Sequence, residues 1–293
     1  MKKKHQKKIL IFGVGLSGRA VFRKLSQVNE NNIVGFLDNN FPAKEKTFFN
    51  KAVYLPAQIS RIDFDLIVIS GRDINEIQNQ LVNDLKVPIN KILILARSDL
   101  ALSESVKNNK EVSIINILKK LTNEMSSNNI DYWIDFGALL ALHRKVNLSD
   151  FSDVDIAIIS KDDANTIFNI MSQQKENYNV YKKHIDEELS YANIGDIKQI
   201  CIESIVNLID EEPAIIDIHV KFFHENQYKC PVGKFTLYTP EMFFAGHDIF
   251  PYKDIVLHTP LNSQDYLKLI YGKYWKTPAQ NWQADDYGNI LDE

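Results

Sequence analysis

The stretch DFSDVDIAIIS, Asp150 to Ser160, sets two aspartates one residue apart at the head of an apolar run. On a β-strand, residues i and i+2 point to one face, so Asp153 and Asp155 stand side by side. Their neighbours Val154, Ile156, Ala157 and Ile158 are apolar, as a strand packed into a core requires. Adjacent carboxylates repel, and a shared cation or a bound proton relieves them. Oxygen donors suit Mg²⁺ or Mn²⁺, ions that also bind substrate phosphates. Taken alone, the pair reads more simply as an acidic turn ahead of a buried strand.

Two flanking features change the balance. Upstream, Phe136-Gly137-Ala138-Leu139-Leu140 reads as a strand–glycine–helix turn, able to cradle a phosphate. Downstream, AIIDIHVKFF carries Asp217 alone within an apolar strand, where an unpaired carboxylate is costly to bury. A third carboxylate on a neighbouring strand completes a phosphoryl-transfer metal site. His219 alternates with Asp217 and shares its face, as a site residue or as a hydrogen-bonded core histidine. Near the end, YGKYWKTPAQNW, 271 to 282, gathers aromatics, lysines and a proline.

The first hundred residues follow another pattern. KILIFG, NIVGFLD, FDLIVIS and NKILILA are short apolar runs separated by helical periodicity, which predicts βαβ units and a mostly parallel sheet. Gly13, Gly15 and Gly18 form a GxGxxG directly after the first run. Such glycines allow close backbone approach to a phosphate at a helix N-terminus. Asp38, at the end of the next run, sits where an acidic residue bonds a ribose hydroxyl. A glycine turn kept only for strand–helix packing fits the same residues. With about four strands and no second mononucleotide half, a complete redox enzyme is not expected.

A chain of 293 residues is long for one core. The expected division is 1–105 and 106–293, with a polar linker over 97–110. A helix then opens the second part, carrying Val112, Ile115, Leu118, Leu121 and Met125 on one stripe. The formal charge of −4 gives no reason to expect nucleic-acid binding. Cys201 and Cys230 lack metal-ligand spacing and read as reduced thiols. The basic start, MKKKHQKK, precedes too short an apolar run for a signal peptide, and no run reaches the roughly 18 residues of a membrane span. The expectation is a cytoplasmic protein whose basic start either is simply solvated or touches the inner face of a membrane.

Residues 8–97 resemble the small Rossmann-like domain that precedes several bacterial polysaccharide-modifying enzymes, such as the nucleotide-sugar-binding part of sugar acyltransferases. That resemblance implies a nucleotide or nucleotide-sugar ligand at Gly13, Gly15, Gly18 and Asp38. The order hG, DxD, hDh resembles the nucleotidyltransferase fold. More finely, WIDFGALLALHRKVNLSDFSDVDIAII, IIDIHVKFF and YLKLIYGKYWKTPAQNW resemble the glycine helix, aspartate cluster, third-aspartate strand and closing signature of the LicD/fukutin family. The implied fold is α/β, a Rossmann-like parallel sheet followed by an α+β nucleotidyltransferase-like domain with a mixed sheet.

The family resemblance implies an enzyme that moves a phospho-alcohol unit from a CDP-linked donor to a sugar hydroxyl of a glycan, releasing CMP. Asp153, Asp155 and Asp217 would hold Mg²⁺ or Mn²⁺, and Asp217 or Asp150 would take the hydroxyl proton. Gly137 and Ala138 would admit the donor phosphates, with Arg144 near their charge or on the helix surface. Trp275 and Lys276 belong to the closing signature. Ala138 stands where a Thr or Ser is usual, and Asp150-Phe151-Ser152 where bacterial members commonly show Trp-Asp-Asp. Two other functions stay open: an NTP-dependent nucleotidyltransferase releasing pyrophosphate, and a nucleotide-sensing scaffold.

Overall fold

The computed structural model describes residues 6–28, 31–39, 47–71, 74–206, 210–279, 282 and 284–291. The basic start through His5, Arg72 and Asp73 of the first domain, and Gln280 and Asn281 of the closing stretch lie outside them. The chain divides into two compact units, with the boundary at Glu104/Ser105.

The first unit runs β1 (Lys7–Phe12), α1 (Leu16–Ser26), β2 (Asn31–Leu37), β3 (Thr47–Phe48), β4 (Lys51–Tyr54), β5 (Leu66–Ile69), α2 (Ile74–Asn79) and β6 (Ile92–Ile94). Its six-stranded sheet has the order β3-β4-β2-β1-β5-β6, parallel except for the β3/β4 edge. Both faces of β1 are buried: Ile9 and Ile11 pack with Val21 and Phe22 of α1, Leu10 and Phe12 with Leu81 beyond α2. Burial on two faces explains the unbroken apolar runs. The β3/β4 hairpin extends the four expected strands.

The second unit opens with α3 (Glu104–Ser127) and continues through β7 (Trp133–Ile134), α4 (Phe136–Arg144), β8 (Val154–Ile158), α5 (Lys161–Ser172), β9 (Tyr178–His184), β10 (Ile197–Ser204) and β11 (Ile215–Val220). There follow β12 (Phe222–His224), β13 (Gln227–Val232), β14 (Phe235–Pro240), β15 (His247–Tyr252), β16 (Ile255–Pro260) and α6 (Ser263–Tyr271). The main sheet is mixed, ordered β7-β8-β11-β10-β9, with β8 and β11 parallel and the other pairs antiparallel. The architecture is thus α/β as expected, a parallel sheet followed by a mixed one.

Two expectations are corrected. The stretch 97–110 is not a linker throughout, because α3 begins at Glu104. Its first turns break the apolar period of a helix, since they bury Lys110 and Glu111 while Val112 is exposed. The apolar stripe of α3 is Ile114, Ile117, Leu118, Leu121 and Met125. The polar residues buried ahead of it have another task, described below.

Candidate active site

Parallel pairing of β8 and β11 puts Asp155 and Asp217 directly opposite each other, Cα partners in register. Asp153 lies in the bend ahead of β8 and accepts a hydrogen bond from Ser152 Oγ at 2.7 Å. His219 Nε2 meets Asp155 Oδ1 at 3.1 Å, so the histidine couples to the carboxylate of the next strand. Burial pushes the Asp155 carboxyl up to about 6, against the pull of the His219 hydrogen bond and with a further push from the Asp153 and Asp217 charges. Burial also raises the Asp217 carboxyl. Burial opposes charge on His219, yet its hydrogen bonds to Asp155 and Cys230 hold the ring up at about 10. The site is therefore a hydrogen-bonded His219–Asp155 pair beside a second, half-buried carboxylate. Asp217 Oδ1 is buried without a hydrogen-bond partner in the structure.

The glycine turn lies against this pair. A Cβ on Gly137 would sit 3.7 Å from Asp155 Oδ2 and 3.1 Å from the Phe151 ring. Asp135 caps α4 by accepting from Phe136 N at 2.8 Å. Phe136 takes φ of +39°, a conformation costly for a bulky side chain. What holds the turn is a wholly buried network: Lys221 Nζ lies 2.8 Å from Asp135 Oδ2, and Tyr266 donates to Asp135 Oδ1 at 2.7 Å. Lys221 also stands over the Phe136 ring at 4.8 Å.

The loop before β8 is held by the first turns of α3. Lys107 Nζ pairs with Asp150 Oδ1 at 2.8 Å, and Lys110 Nζ donates to the carbonyls of Phe151 (2.5 Å) and Ser152 (3.2 Å). Glu111 accepts from Ser149 N at 2.7 Å and from the Tyr252 hydroxyl. These anchors replace the apolar residues that a helical period would have revealed. Asp150 is thereby engaged as an ion-pair partner at the edge of the site.

Other expected contacts are redistributed. Ala138 is fully buried. Arg144 Nε donates to the Trp275 carbonyl at 3.0 Å and Nη2 to those of Trp275 and Thr277. It ties the closing segment to α4. Trp275 is buried edge-on to His143, and the exposed Lys276 lies 5.4 Å from its ring. His143 in turn bonds Ser263 Oγ at 2.8 Å.

Donor chemistry in the row fits a hard divalent cation: oxygen ligands, adjacent negative charges and one orphaned oxygen. Yet among the described residues no three His, Cys, Asp or Glu side chains form a ready-made metal site. The expected three-carboxylate arrangement is present as an in-register pair, with Asp153 turned to its neighbour.

In the first unit, Gly13 has φ of +96° and Gly18 packs so tightly that a Cβ would lie 2.0 Å from the Gly13 carbonyl oxygen. Gly15 caps α1 with open space around it. Asp38 spends one oxygen on Val14 N at 3.0 Å.

A family profile described as C2185-like, N-terminal, matches residues 5–93. The match leaves the carboxylate row outside. No curated protein matches the chain. Among solved structures, the chain is similar to ANT(2")-Ia in complex with adenylyl-2"-tobramycin, at 13% identity over 58% of this chain and 82% of that one, with a TM-score of 0.32. It is similar to the lincosamide antibiotic adenylyltransferase LnuA, lincomycin-bound, at 14% identity over 63% and 92%, TM-score 0.34. A third likeness is to C. glutamicum DAP dehydrogenase in complex with DAP, 10% identical over 93% and 89%, TM-score 0.26. Among the described residues no helix is long and apolar enough to cross a membrane.

Proposed function

We propose that the second unit transfers a phosphorus-centred group from a nucleotide-linked donor to a hydroxyl. In its finer form, a phospho-alcohol unit such as phosphocholine, ribitol phosphate or glycerol phosphate passes from a CDP-linked donor to a sugar hydroxyl of a glycan or its precursor, and CMP leaves. The observation that carries this reading is the in-register pair Asp155/Asp217 beside the Gly137 turn.

Asp155 and Asp217, with Asp153 at the head of β8, are the residues that would hold Mg²⁺ or Mn²⁺. The bound ion supplies charge neutralisation at the attacking and leaving oxygens. Gly137, lacking a side chain, lets the Phe151 ring and Asp155 come close to the start of α4, where the donor phosphates would lie. His219 fixes the orientation of Asp155. Asp217, or Asp150 with its Lys107 partner, would take the proton of the attacking hydroxyl. A bond forms from that oxygen to phosphorus as the bond to CMP breaks. Most of the rate comes from positioning and fixed charge. For the first unit we propose a nucleotide or nucleotide-sugar ligand at Gly13, Gly15 and Gly18, in a protein working at the cytoplasmic side of a membrane.

Purified protein with Mg²⁺, a panel of CDP-alcohols and a sugar acceptor tests the reading. CMP release that is abolished by chelator and by Asp155→Ala is the expected result. Pyrophosphate released from an NTP, with no CMP from any donor, makes the protein a nucleotidyltransferase on the same carboxylates. Neither product leaves the scaffold.

A further inference from the structure

The in-register row that contains the two carboxylates does not end with them. Asp217 pairs across to Cys201 on β10, and Cys201 pairs to Tyr181 on the edge strand β9. One step along, His219 is followed by Gln199 and Lys183. The opposite face is apolar: Ile156, Ile200, Ile202, Ile216 and Ile218 are wholly buried, and α5 packs there, with its Phe168 ring 4.5 Å from Lys182 Nζ. Tyr181 and Lys183 alternate with Lys182 and so face away from α5. Exposure along the polar face rises steadily, from the buried His219 through half-buried Cys201 and Gln199 to Tyr181, which is 51% exposed. Strand spacing puts Tyr181 about 10 Å from Asp217, the reach of one or two sugar rings.

We infer that this open face, Tyr181 with Gln199 and Lys183, is the subsite for a neutral sugar ring whose hydroxyl is presented to Asp217. The inference rests on the reaction proposed above. Its chemistry is mixed in the way a polyol needs. The Tyr181 ring offers an apolar plane to the C–H face of a sugar. Lys183 Nζ donates to Gln199 Oε1 at 2.9 Å, which uses the amide oxygen as an acceptor and keeps its NH₂ as the donor group of the pair. Lys183 on this face sets a positive charge against the Asp217 carboxylate, so the subsite carries both signs and suits an uncharged polyol. The face is continuous with the carboxylates, so a ring seated on it has its hydroxyl at the reacting end.

Saturation-transfer NMR on the full chain tests this with methyl glycosides of glucose, galactose, rhamnose, N-acetylglucosamine and N-acetylgalactosamine; CMP–Mg²⁺ affinity is measured in parallel by calorimetry. At least one glycoside is expected to bind, about tenfold more weakly in Tyr181→Ala and nearly unchanged in Tyr181→Phe, with CMP affinity constant. Undiminished glycoside binding in Tyr181→Ala overturns the subsite, as does the absence of binding by every glycoside. A loss of CMP affinity instead makes Tyr181 a platform for the base, and also overturns it. Failure of CMP release with Tyr181-dependent glycoside binding intact counts against the reaction and leaves the subsite standing.

Discussion

Both units contain a strand, a glycine turn and a helix, with an aspartate close by, and the two turns are balanced differently. At Gly13–Gly18 the polar groups are settled internally: Asp38 accepts from Val14 N, Gly13 N donates to the Leu37 carbonyl, and Gly18 closes on Gly13. At Phe136–Gly137 the turn is forced into a left-handed conformation, braced by a buried ion pair, and set against carboxylates of which one oxygen has no partner. A buried polar atom without a partner costs about 1 to 3 kcal/mol. The first turn pairs these polar groups within the chain, whereas beside the second one carboxylate oxygen is buried without a hydrogen-bond partner.

The largest effect that can break this contrast is removal of the brace. Lys221→Met leaves the Asp135 charge buried and unpaired, and should cost about 3 to 5 kcal/mol in denaturant unfolding of the second unit. The double change with Asp135→Asn should recover part of it. Next comes the glycine of the first turn. Gly18→Ala drives a methyl into the Gly13 carbonyl and should cost about 3 kcal/mol, whereas Gly137→Ala, with only a 3.1 Å ring contact to relieve, should cost about 1 kcal/mol. Equal costs would erase the difference in packing between the two turns.

Removing a carboxylate should act on chemistry. Asp217→Ala should lower CMP release by about a hundredfold or more while unfolding stability holds or rises, since an unsatisfied oxygen goes with it. A finer effect is read from pH. Asp155 titrates at about 6 in the folded chain, above its unfolded value. Its protonation therefore stabilises the fold fully below about pH 4, and that contribution is lost as pH rises through 6. Cation affinity should run the opposite way, weakening about tenfold per unit below pH 6. Asp155→Asn should remove that step from the difference in melting temperature with and without Mg²⁺.

Part of this site was legible in the residues because strand periodicity is short and strict. Asp153 and Asp155 at i and i+2, and Asp217 alone in an apolar run, announce themselves without a structure. His219 could be seen to share a face with Asp217, but its bond to Asp155 depends on a register that spacing along one strand does not carry. Lys107, Lys110 and Glu111 were hidden because they interrupt the apolar period by which a helix is recognised. Arg144 has the charge of a phosphate clamp, and only the position of the Trp275 carbonyl shows where its donors go. The β15/β16 hairpin was missed since its residues His247, Asp248 and Ile249 are all exposed and show no alternation.

The early turns of α3 also have a consequence for how the chain can change length. The three anchors of the 149–152 loop and the core stripe from Ile114 to Met125 lie on one helix, so their relative angle is set by residue count. A single residue inserted between Glu111 and Ile114 turns the anchors by about 100° against the core and swings them away from the loop. The same residue added before Glu104 leaves that angle untouched. Drift in length is therefore tolerable on one side of those few positions and ruinous between them, a phase constraint that no individual side chain displays.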